Sequence, residues 1–218
     1  MRGRWLAGVL SGLFVVSGCA SNVAGRAVPA ANGTAVDQGI CQAAELMRCI
    51  VAAPAGSSAY ATPLGPNGVV STRQFISAFY PADAQHDNQI ADQLREQGLE
   101  SVAHRNWAVS GTGDQVDGDQ VDIVLLGFTT SGGAQSRAQV VETSTRRDPT
   151  LGTFAGAGLP SGVVAFVDRS VDRNGNIGVR AYAAFGAVEM EFNYLHPATL
   201  DSADLTAQVA REVELLTG

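Results

Sequence analysis

The chain of 218 residues has no lysine; all 14 of its basic residues are arginine. That absence excludes a phosphate loop with a Walker lysine and the SxxK arrangement, so "GAGLPSG" at 156–162 reads as a turn and "SGGAQS" as the start of a helix. Histidine is scarce too. His86, His104 and His196 are scattered, and none stands in an HExxH pattern. His86 reads as a solvated helix residue, His196, beside Pro197, as a loop residue, and His104 as a buried residue partnered near Arg105. No GxSxG elbow is present. No catalytic residue, cofactor ligand or metal ligand is therefore expected.

Charge and long apolar runs are also limited. The formal net charge is −7, and a mixed, mildly acidic surface offers no general attraction to nucleic acid. The longest leading apolar run, "WLAGVLSGLFVV" after Arg2 and Arg4, would make a helix of about 18 Å, too short for a hydrocarbon core of about 30 Å. Positive charge followed by a short apolar run is instead the order of a secretory signal, here residues 1–18.

The three cysteines divide into one and two. "VSGC", Val16 to Cys19, resembles the bacterial lipobox, in which a small residue precedes the cut and the cysteine thiol takes diacylglycerol. The resemblance implies a mature chain beginning at a lipidated Cys19 that carries acyl chains such as palmitate. It implies a place on the outer face of the cytoplasmic membrane, and the membrane as a partner through that lipid. Residues 19–39, small and turn-prone, read as a lipidated tether. Cys41 and Cys49 are then the only remaining thiols. An oxidising compartment and a short helical segment between them point to an intrachain disulfide. A zinc site lacks nearby histidines, and a redox pair has closer spacing.

From residue 40 to 218 the pattern is that of one α+β domain. "STRQFISAFYP" begins with a Ser71 or Thr72 cap and sets Phe75 and Phe79 on one helical face. "DAQHDNQIADQLREQG" continues as a polar helix stopped at Gly98. Strands are expected in "LESVAHRNWAVS" and "VDIVLLGFTT", then a helix from Ser131 with Ala134, Ala138, Val141 and Thr145 in line. "VVAFVDRS" and "GVRAYAAFG" should pair around "VDRNGN". "AVEMEFNYL" alternates Val188, Met190, Phe192 and Tyr194 with Glu189, Glu191 and Asn193, which predicts one buried and one wet face. Leu205, Val209, Val213 and Leu216 form the apolar stripe of a closing helix. The economical assembly is a mainly antiparallel sheet with helices packed on one face.

Two acidic loops invite a metal reading. Asp168, Asp172, Asn174 and Asn176 crowd one segment, but the EF-hand count from Asp172 meets Ile177 where glycine is needed and Ala183 where glutamate is needed. The hairpin turn "NG" explains that segment better. Asp114, Asp117 and Asp119 read as a soluble loop.

The lipobox, the arginine-only chain and the run from "QLREQGLESVAHRNWAVSGTG" to "VDIVLLGFTTSGGAQSRAQ" resemble secreted or lipid-anchored proteins of mycobacteria and related actinobacteria. Arg105, Trp107, Phe128, Gly133 and Ala134 carry that resemblance, over about residues 75 to 195. It implies an α+β fold and an extracytoplasmic place, and no chemistry. The functional expectation is a lipid-anchored binding or accessory protein of the cell envelope, with an envelope lipid or a protein as partner. An enzyme with an unrecognised site and a structural envelope protein are the alternatives.

Overall fold

Alternating runs of two- and four-residue periodicity set the architecture in this computed structural model, which describes residues 41–79, 84–109, 119–154, 158–172, 175–197 and 202–218. The expected leader, tether and Cys19 lie outside the described residues, as do Asp114, Asp117, Asn174 and the side chain of His86. A 3-10 turn at Ala43–Glu45 runs into α1 (Leu46–Cys49), followed by the short strands β1 (Ser57–Ser58) and β2 (Gly68–Val70). Helix α2 spans Thr72–Phe79. The Ser71 hydroxyl accepts the Gln74 N–H at 3.2 Å, and the Phe75 and Phe79 rings lie 5.1 Å apart on one face.

Helix α3 (Ala84–Glu96) ends before Gly98, whose φ of +83° reverses the chain into β3 (Leu99–Val109). A side chain at Gly98 would also run into the Thr129 hydroxyl. β3 pairs antiparallel with β4 (Gln120–Phe128). Helix α4 (Ser131–Arg146) is capped by Thr130, whose hydroxyl accepts the Gly133 N–H at 3.2 Å. Its last turn carries Arg146, where the helix dipole favours a cation.

The short strand β5 (Leu151–Thr153), which the sequence does not announce, leads to β6 (Val164–Asp168), β7 (Asn176–Phe185), β8 (Val188–Pro197) and the closing helix α5 (Ser202–Thr217). The sheet order is β1-β3-β4-β8-β7-β6-β5, every pairing is antiparallel, and β2 joins β3 beside β1. This is the expected α+β class with a large antiparallel sheet.

Helices cover both faces of the sheet, and the reason lies at its centre. β4 and β8 are neighbours, each with a strand on its far side. One face, bearing Trp107, Val121, Ile123, Leu125, Met190, Phe192 and Tyr194, packs against α1 and α5. The other face bears Val102, Val124, Leu126 and Phe128 under α2, α3 and the start of α4. Leu151, Phe166 and Tyr182 extend that side and pack against Val141 in the second half of α4. Strands covered on both sides bury both sets of alternating side chains.

The stripe on α5 is core as expected: Leu205 and Val209 are 0% exposed, Leu216 2% and Val213 8%. Changing Val209 to aspartate should therefore destabilise the domain by several kcal/mol, through desolvation of the charge and lost packing. Thermal unfolding of the variant checks this, and an unchanged melting temperature would remove Val209 from the core.

Candidate functional site

The second face of the sheet carries a polar ladder. Asn106, Asp122, Asn193 and Arg180 stand in one cross-strand row through β3, β4, β8 and β7. The next row holds His104, Val124, Glu191 and Tyr182, and Glu189 stands in the row beyond, opposite Leu126 and Ala184. Helix coverage divides this ladder into a closed and an open half.

In the closed half, Glu189 is 0% exposed and Glu191 5% exposed, so the expected wet face of this strand is corrected. The alternation is real, yet α4 lies on the side that should have met water. Arg137 of α4 donates to Glu191 Oε1 at 2.8 Å and lies 5.9 Å from the Phe75 ring centre. Neither oxygen of Glu189 has a hydrogen-bond partner. Burial first, and then the charge of Glu191, raises the Glu189 pKa well above the ordinary carboxylate range, although Arg137 opposes the shift. Asp122 is pushed up to about 7 by burial, with a further contribution from Glu191.

His104 is buried as expected, but its partner is not near Arg105. Successive strand residues point to opposite faces. The His104 imidazole meets Asp122 at 3.8 Å and lies against the backbone of Leu64, Gly65 and Pro66, though neither ring nitrogen makes a well-formed hydrogen bond. Burial lowers its pKa and keeps the ring neutral.

The open half forms a depression of about 190 Å³ at the other end of β4, β7 and β8. Tyr60, Gln120, Asp168, Arg180 and Asn193 line it. Asn106 fixes Tyr60 by accepting its backbone N–H at 3.2 Å and donating to its carbonyl at 3.0 Å. Asp168 Oδ2 accepts the Gly178 N–H at 3.0 Å. A β-carbon on residue 178 would collide with that carboxylate, so the Asp168 side chain takes this place on the strand only above a glycine. Thus Asp168 and Asn176, two members of the metal-like segment, serve the sheet and its turn: the Asn176 N–H donates to Asp172 Oδ1 at 2.9 Å. Among the described residues no group of three or more His, Cys, Asp or Glu is placed to hold a metal ion.

His196 is a β8 residue and not a loop residue, and its Nε2 lies 3.4 Å from Asp119 Oδ1. Asp119 itself lies outside the strands, one residue before β4. Tyr194 donates to Asp204 Oδ2 at 3.2 Å, and Gln208 donates to the same oxygen at 2.6 Å. These groups join the end of β8 to the start of α5.

On the first face, Cys41 and Cys49 form the expected disulfide. Arg105 donates to the carbonyls of Ile50 and Val51 at 2.7 and 2.8 Å, and Glu212 Oε2 accepts the Val51 N–H at 2.8 Å. Burial lifts the Glu212 pKa to about 7, against the pull of that N–H and of Arg105. The stripe on α5 gave no sign of this glutamate, which is 0% exposed. A bridge closing so short a loop is worth about 2.5 kcal/mol in chain entropy. Cys49→Ser should lower stability by that order, measured by denaturant unfolding; an unchanged midpoint would show that Arg105 and Glu212 suffice.

The expected attachment to a membrane through a lipid on Cys19 is corrected. The cysteines that the structure describes, Cys41 and Cys49, are both consumed by the internal disulfide, and a disulfide sulfur cannot form the thioether that carries an acyl anchor. Cys19 itself lies outside the described residues. Neither the membrane nor an envelope lipid or protein reached through that anchor is retained as a partner. No described helix is long and apolar enough to cross a membrane.

No protein-family model matches the chain, and no curated protein does. Among solved structures it has a distant likeness to the extracellular domain of PknH from Mycobacterium tuberculosis. The identity is 14% and the TM-score 0.43, over 57% of this chain and 68% of that one. An uncharacterized protein from Mycobacterium smegmatis is similar at 12% identity and a TM-score of 0.24, over 60% of this chain and 75% of that one. Likeness to these two Mycobacterium proteins is too low to determine a function, and it does not establish a lipoprotein family.

Proposed function

We propose that the chain is an extracytoplasmic binding domain, accessory to the cell envelope, that holds a small polar solute in the open half of its sheet. The observation that carries this reading is the convergence of Gln120, Arg180 and Asn193 on one depression, since among the described residues none of these side chains makes a hydrogen bond or a salt bridge, Asp148 and Tyr182 acting on Arg180 only through its charge. Their chemistry is hydrogen bonding and one positive charge, which suits recognition. The backbone beneath is rigid, because each residue stands on a strand paired on both sides. Two features support the compartment: the buried Cys41–Cys49 bond, which persists under oxidising conditions, and the signal-like residues 1–18.

Two measurements test the proposal. Residues 1–40 fused to alkaline phosphatase, which folds only outside the cytoplasm, should give an active reporter in an actinobacterial host; an inactive fusion overturns the location. The intact protein, screened by amide spectroscopy against amino acids, short dicarboxylates and polyols, should respond at Gly178, Arg180 and Asn193. No response to any of these solutes overturns binding.

A further inference from the structure

We infer that the depression recognises an amino-acid zwitterion with a small side chain, the Arg180 guanidinium taking the carboxylate and the Asp168 carboxylate taking the ammonium group. The inference rests on the binding role proposed above and adds the chemical class of the solute. Its basis is a pair of opposite charges that share one small depression, with Asp168 bound to the Gly178 N–H and not ion-paired to Arg180. Asp168 is drawn to the Gly178 N–H at 3.0 Å, and Arg180 lies two residues further along β7. Arg180 pairs with Phe166, so Asp168 is its diagonal neighbour across β6 and β7, at about 7–8 Å and somewhat less between β-carbons. In the structure the aspartate is held at Gly178 and no ion pair joins it to the guanidinium, so a molecule that carries both charges can lie between them.

The glycine is part of the device. A β-carbon at residue 178 would collide with the Asp168 carboxylate, so the bare backbone lets the acid sit down on the strand and leaves room above it. Gln120 and Asn193 flank the two charges with uncharged donors and acceptors. At about 30 Å³ for each liquid water, the depression of about 190 Å³ holds roughly six waters, room enough for a small zwitterion such as alanine or serine. A simple anion would gain Arg180 but face Asp168, with Asp148 also within electrostatic reach of the guanidinium. A simple cation would meet the opposite difficulty. A ligand with both charges satisfies both groups, and charge-assisted hydrogen bonds are the stronger kind.

The test is a titration of the intact, isotopically labelled protein with L-alanine, followed at the amides of Gly178, Arg180 and Asn193. Propionate and ethylamine, which keep one charge each, are titrated beside it. Alanine should shift these amides saturably and bind at least tenfold more tightly than either single-charge probe. Arg180→Gln and Asp168→Asn should each weaken alanine at least tenfold while the rest of the spectrum stays in place; if Asp168→Asn disturbs the fold, the exposed Arg180→Gln decides. Single-charge probes that bind as well as alanine, or alanine binding that survives Arg180→Gln, overturn the zwitterion and leave solute binding standing. Amides that respond to none of the three probes overturn the zwitterion as well, and the broader solute screen then decides the binding role.

Discussion

Replacing Arg137 by methionine is expected to lower the melting temperature by on the order of 10 °C. Arg137 is 6% exposed and donates at 2.8 Å to Glu191, which is itself 5% exposed, with the fully buried Glu189 two residues away on the same strand face. Removing one member of a buried ion pair leaves the other charged group without compensation, a loss of about 3–5 kcal/mol. For a domain of this size each kcal/mol moves the midpoint by about 2–4 °C. The double variant Arg137→Met with Glu191→Gln should recover much of the loss, since it removes the stranded charge as well. Thermal unfolding of the two variants side by side is the measurement. A single variant that melts with the parent, or a double variant no better than the single, would show that the pair does not hold α4 to the sheet.

Stability should also rise as the pH falls from 7.5 to 5.5. Glu189, Glu212 and Asp122 all have folded pKa values above their unfolded ones, Glu212 and Asp122 at about 7. Between the ordinary carboxylate range and those values the folded state binds more protons than the unfolded chain. The destabilisation these groups cause is absent below that window and grows as the pH rises through it. His104 acts in the opposite sense: its folded pKa is lowered, so protonation of the unfolded chain below its ordinary value favours unfolding. Three raised acids against one lowered base leave the balance with the acids.

Each extra proton bound by the folded state is worth about 1.4 kcal/mol per pH unit. A rise in melting temperature on the order of 5–10 °C is therefore expected between pH 7.5 and 5.5. Glu212→Gln should flatten the profile by one proton's share without touching the face that holds Arg137. A melting temperature that is level or falls over this interval would show that these carboxyls are ionised in the folded protein.

Much of the chain's local structure was legible in its residues. The stop at Gly98, the cap before Phe75, the Val188 to Tyr194 alternation and the stripe on α5 are signals of backbone conformation and side-chain period, which neighbouring residues determine among themselves. The Cys41–Cys49 bond was readable for the same reason, because so short a separation leaves few other partners. What period cannot say is which side of a strand meets water. Glu189 and Glu191 look solvated in the sequence, as Glu212 looks like the polar flank of a helix, until α4 covers the one pair and the segment around Val51 covers the other.

The candidate site was illegible for a related reason. Gln120, Asp168, Gly178, Arg180 and Asn193 come from four strands and form no motif along the chain. They meet because β8 inserts between β4 and β7, bringing residues more than sixty positions apart into adjacent rows. Local sequence thus determined the elements, their ends and the class of fold, since those depend on backbone propensity and short-range period. Tertiary structure alone decided which polar residues were dehydrated and which were left facing an open depression, because burial and electrostatic environment depend on what packs above a residue and not on the residue itself.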